Sequence, residues 1–191
     1  MSNRALSPAD FQWDEFFWKL KVHLPSWQGF QGRRGASVAQ ETSAPSDGIV
    51  DVVFAPEGRD ASPLLSSELA LVRWAIDHER EMQLSLLDAL LLEYPSIKRT
   101  YAEYLDDPKL MPNVRDVAEF RSLIGLYALN VHQLERNGLP YVGFEFGCTW
   151  DNEHGLGVLM HGARVVEIGG ADTANLLWIA KRDADANASA G

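Results

Sequence analysis

The sequence has one cysteine among 191 residues. Cys148 therefore has no partner for an internal disulfide. Long apolar runs are also missing: the densest, Leu84 to Leu92, is interrupted by Asp88 and stops at Glu93, well short of the roughly 18 to 20 residues that span a bilayer. Met1 to Leu24 carries neither a basic start nor an apolar stretch of signal-peptide type, which predicts a cytoplasmic protein that does not enter membranes. Basic residues are few. Seventeen Lys and Arg stand against 27 Asp and Glu, a formal charge of −10, which repels phosphate backbones and favours encounter with a basic protein partner over nucleic acid. No Gly-x-Ser-x-Gly, phosphate-binding loop or dinucleotide fingerprint occurs, and His78-Glu79 is followed at the metal-binding spacing by Met82 instead of a second histidine.

What is present is core-forming material, 46% hydrophobic against 23% charged, enough for one folded domain. Phe16, Trp18, Leu20, Val22 and Leu24 alternate with Lys19, Lys21 and His23 as a half-buried strand. Gln31 to Asp47 is polar and small, a flexible loop, and Ile49 to Phe54 is a second strand able to pair with the first across it. Ser66 and Ser67 before Glu68 open a long helix to residue 94, with a polar interruption at Asp77 to Glu81; a second helix follows over 96–105. Asn113 is placed to cap a short helix ending at Phe120.

The remainder reads as a meander over 122–133, 141–148, 156–161 and 164–168, turning at Asn137-Gly138, 151–155 and Gly162-Ala163. Residues 183–191 read as a disordered tail. The expected fold is α+β, a single domain over 1–182: an antiparallel sheet built from the C-terminal meander and the N-terminal strands, with the helices on one face. Val142, Phe144, Phe146 and Leu156 or Leu159 should enter the core, and Cys148 shares their face as a buried thiol.

The densest polar constellation is Trp150, Asp151, Glu153, His154, Gly155 and Gly157. Asp151, Glu153 and His154 could serve a metal-dependent enzyme or metal-binding protein. However, His161 lies seven residues further along a strand, roughly 23 Å away, and cannot join them. Ordered turn carboxylates are far commoner than ligands, so the expected role is structural. Asp151 should bond turn backbone, Asp151 or Glu153 should pair with Arg121 or Arg164, and Trp150 should pack on the helices. No catalytic residue, metal or cofactor is assigned. The aromatics Trp13, Trp18, Trp27 and Phe30 are expected mainly in the core; Trp27 and Phe30, with the acids Asp77, Glu79, Glu81, Asp106 and Asp107, are the candidates for contact with a partner.

The segment Phe144-Glu145-Phe146-Gly147-Cys148, then Trp-Asp-x-Glu-His-Gly-Leu-Gly-Val from Trp150, then Arg164 to Asp172, resembles the C-terminal signature of an uncharacterised bacterial family, a domain of unknown function. That resemblance implies a small cytoplasmic protein of the immunity-protein kind, a non-catalytic inhibitor that covers a partner protein.

Overall fold

The alternation over Trp18 to Val22 folds as β2 (Phe17–His23), flanked by a three-residue β1 (Gln12–Asp14) and by β3 (Ile49–Phe54), both antiparallel to it. The computed structural model describes residues 6–33, 44–55, 61–105 and 107–188. Of the loop expected at 31–47, residues 34–43 lie outside these. Its described flanks are held, with Gln31 N–H donating to Ile124 C=O at 3.3 Å and Ser46 N–H to Phe30 C=O at 2.8 Å. Phe16 departs from the expected strand face and is 75% exposed, because the β1–β2 turn, with Glu15 at φ +50, holds it outside β2.

Two helices follow, α1 (Ser66–Asp77) and α2 (Glu79–Tyr101). The first turn of α1 is capped by Glu68, whose carboxylate accepts the Leu65 N–H at 2.6 Å, so Ser66 and Ser67 lie inside the helix. The polar interruption marks a break at His78, whose ring stacks on Trp74 at 4.2 Å and donates from Nδ1 to the Trp74 carbonyl. The separate helix expected over 96–105 is corrected. Pro95 sits within α2, where buried Leu90 and Tyr94 before it and half-buried Ile97 after it keep both halves on the core. Asn113 instead accepts from Lys98 Nζ at 2.9 Å. The following 3-10 turn, Val117–Ser122, is capped by Asp116, with Glu119 three residues on completing the box.

The meander supplies β4 (Ile124–Arg136), β5 (Leu139–Cys148), β6 (Leu156–His161) and β7 (Arg164–Gly169). Among the described residues the seven strands of the sheet lie in sequence order, and every neighbouring pair is antiparallel except β3 and β4, which run parallel with α1 and α2 between them in the chain. The fold is α+β. Val142, Phe144, Phe146, Leu156, Val158 and Met160 pack beneath Val72, Met82, Leu86 and Leu90 in the main core, whereas Leu159 belongs to the opposite face.

That opposite face corrects two expectations at once. Helices cover both faces of the sheet, and much of the presumed tail is part of α3 (Leu177–Ala188). Ile179 and Ala180 bury against Tyr141 and Leu159. Asp183 then accepts from Tyr141 Oη at 2.8 Å and from Arg164 at 2.6 Å. Gly143 admits this layer: a Cβ there would sit 1.7 Å from the Ala174 carbonyl oxygen. Among the described residues no helix is long and apolar enough to cross a membrane.

Candidate functional site

The β5–β6 turn is built around Asp151. One carboxylate oxygen accepts the Tyr101 hydroxyl at 2.7 Å, from the last residue of α2. The other accepts the backbone N–H groups of Glu153 (3.2 Å) and His154 (2.8 Å), and lies 3.2 Å from His154 Nδ1. Burial alone would raise the Asp151 pKa, but these donors together outweigh it and hold the carboxyl below its ordinary value. Trp150 is buried and meets Tyr94 of α2 edge-on at 5.7 Å, as expected of a ring packed on the helices. Gly155 takes φ +65, and His154 C=O accepts the Ala171 N–H at 2.9 Å. A Cβ on Gly157 would stand 2.3 Å from the Gly170 carbonyl oxygen. The turn thus joins three segments: the end of α2, the β5–β6 connection, and the stretch that leads to α3.

Its chemistry follows from that saturation. Both Asp151 oxygens are committed to donors, the Glu153 residue is exposed, and the His154 side chain is 74% exposed. A metal would need three or four ligands and would have to displace the Tyr101 and backbone bonds. Among the described residues no group of three or more His, Cys, Asp or Glu is placed to hold one. The expected pairing of Asp151 or Glu153 with Arg121 or Arg164 is corrected. Arg121 reaches the Gln28 carbonyl, and Arg164 is drawn to Asp183 of α3. His132 bonds the Ala174 carbonyl at 2.9 Å and His161 the Arg136 carbonyl at 3.1 Å, so neither is available to this turn.

A family model described as a domain of unknown function (DUF6985) matches residues 34–176. The chain belongs to this family. The DUF6985 span contains β3 to β7, α1, α2 and the whole signature turn; β1, β2 and α3 lie outside it. No curated protein and no solved structure matches the chain.

On this DUF6985 domain the candidate contact residues separate into two groups. Trp27 and Phe30 lie in the core, the placement mainly expected of them, and are not exposed for contact. They are 0% and 2% exposed, since the 3-10 turn Pro25–Trp27 folds back and places the Trp27 ring 5.9 Å from Phe144 and 5.2 Å from Phe146. Glu79 is also buried, accepting from Ser26 Oγ. Asp77 and Glu81 do face solvent, Asp77 paired with Arg73 at 3.0 Å. Asp107 caps the 3-10 turn Pro108–Leu110, and Asp106 lies outside the described residues.

Two features escaped the sequence reading. Glu145, on the face opposite the main core, gathers the Tyr127 hydroxyl and the amides of Asn130 and Asn175. Burial, then the Glu145 charge, raises the Tyr127 pKa. The isolated acid between Phe144 and Phe146 was the available signal. The second is the outer edge of the sheet at β7, beside Leu92, which is 82% exposed. Cys148 is buried, as expected, and burial pushes its thiol up to about 12.

Proposed function

We propose that this protein is a non-catalytic interaction protein of the immunity type, cytoplasmic, which inhibits a basic partner protein by covering it. The observation that carries this reading is the outward face of α2. Glu81, Leu84, Asp88 and Leu92 follow one another at helical spacing, with Leu84 54% and Leu92 82% exposed. Neither Glu81 nor Asp88 has an ion-pair partner among the described residues. Exposed leucines set between unpaired acids suit a surface that buries apolar area while steering a cation-rich partner towards it. The net charge of −10 acts in the same direction over longer range. The saturated turn at Asp151 leaves that constellation a structural part in this reading.

The test is co-expression with the product of the adjoining reading frame. Complex formation is followed by sedimentation, and relief of any growth arrest the partner causes is scored alongside it. A complex that weakens with salt and with Asp88→Lys supports the proposal, since screening shortens to about 8 Å at physiological salt. A partner neither bound nor restrained, or a complex indifferent to salt and charge reversal, overturns it.

A further inference from the structure

We infer that β7 receives an extended segment of that basic partner as an eighth strand of the sheet. The inference rests on the interaction reading above and specifies its surface. β7 is the last strand in the sheet order, so alternate N–H and C=O groups along Arg164–Gly169 point away from β6, and among the described residues no strand pairs with them. Such a row is a template that an extended chain completes through backbone bonds alone.

Side chains on both faces of this edge are fitted to an added strand. On the α2 side a groove of about 400 Å³ is lined by Ala89, Leu92, Glu93 and Ile97 together with β7 itself. Val165 and Ile168 turn towards that side, packing on the main core. On the other side Glu167 of β7 pairs with Arg182 of α3, whose guanidinium lies 5.0 Å over the Trp178 ring, and Trp178 is 53% exposed. An incoming strand therefore has an apolar wall for its alternate residues on the α2 face and an aromatic neighbourhood for the others on the α3 face.

Charge selects the occupant. Glu93 in the groove and Asp88, one turn before Leu92 on the adjoining outer face of α2, have no ion-pair partner among the described residues, so lysine or arginine next to the docked apolar residues is favoured. A second copy of the chain fits less well. Pairing β7 with β7 would bring two bodies of charge −10 together and set Glu93 towards its own equivalent.

The experiment uses the full chain and a short fluorescein-labelled synthetic peptide alternating lysine with valine, beside the same peptide with glutamate for lysine. Anisotropy should show salt-dependent binding of the lysine peptide only, and amide exchange should slow along Arg164–Gly169. Glu93→Lys should weaken binding about tenfold, as a like charge now faces the peptide, and Leu92→Ser should weaken it as well by removing apolar wall without adding charge, at an exposed position that the fold does not depend on. Val166→Pro removes a backbone donor from β7, and its folding is checked by circular dichroism before it is used. Equal binding of both peptides, no binding, or dimerisation of the chain through β7 overturns strand addition. Protection that maps to the outer face of α2 with β7 unchanged also overturns it, while leaving the interaction reading in place.

Discussion

Replacing Asp151 by Ala removes the acceptor that ties α2 to the β5–β6 turn. The Asp151 side chain is 10% exposed and its bond to Tyr101 is 2.7 Å long, so a phenol loses a charged acceptor in a site that water reaches poorly. Bonds of this kind contribute about 1.5–3 kcal/mol. The amides of Glu153 and His154 face solvent and rehydrate, adding about 0.5–1 kcal/mol, as for a lost helix cap. Urea unfolding monitored by tryptophan fluorescence should therefore show a loss of about 2–4 kcal/mol at pH 7. The folded Asp151 carboxyl titrates below its ordinary value, so its contribution is full above the unfolded pKa of about 3.9 and is lost as pH falls through the folded one. The gap between wild type and Asp151→Ala should accordingly narrow in acid. Tyr101→Phe should cost less alone and add little on top of Asp151→Ala, because both remove one bond. A loss under about 0.5 kcal/mol at pH 7, or a gap that does not change between pH 7 and pH 3, would refute the assignment.

Three further outcomes are expected. His154→Ala should cost less than about 1 kcal/mol by the same unfolding assay, since its pair with Asp151 is exposed; a larger loss would contradict that exposure. Gly143→Ala should destabilise by at least about 1–3 kcal/mol, because the Ala174 backbone has to withdraw. Gly138→Ala has open space and pays only for its left-handed φ of +74, about 1 kcal/mol; equal melting temperatures for the two variants would contradict the packing argument. Cys148 should resist maleimide at pH 8 in the native protein and react promptly in denaturant, given its burial and a pKa near 12, and rapid native labelling would show the thiol accessible.

Local chemistry explains which elements were legible. Asn137 and Gly138 take φ +55 and +74, the left-handed pair a tight hairpin demands, and alternation on either side set the register that buries Val142, Phe144 and Phe146. The second half of α3 was illegible for a physical reason. Asp183 to Ala188 has no apolar stripe of its own, and the helix is anchored by Ile179 and Ala180 on Tyr141 and Leu159, which are distant in sequence. The same limit applied to the site. That Asp151 would bond its own turn could be read from neighbours, but Tyr101 lies fifty residues earlier, beyond any periodicity. That Trp27 belongs to the core could be read from its size and apolar character, but not its route there, a turn opened by Pro25 that carries the indole under the sheet.

The parallel contact between β3 and β4 has a consequence for biogenesis. It is a seam between two antiparallel ribbons, β1–β3 and β4–β7, each assembled from chain neighbours, while the seam itself waits for α1 and α2 to be made and placed. During synthesis the first ribbon emerges long before its partner edge exists. Whenever the two ribbons are apart, β4, the longest strand of the sheet, is an open edge carrying Leu129 and Val131, both buried in the finished protein. The hazard of sticking to another copy therefore lies in the half-joined chain, where the edge of β4 that β3 later pairs, Ala128–Val131, stands open, and it ends when β3 closes the seam.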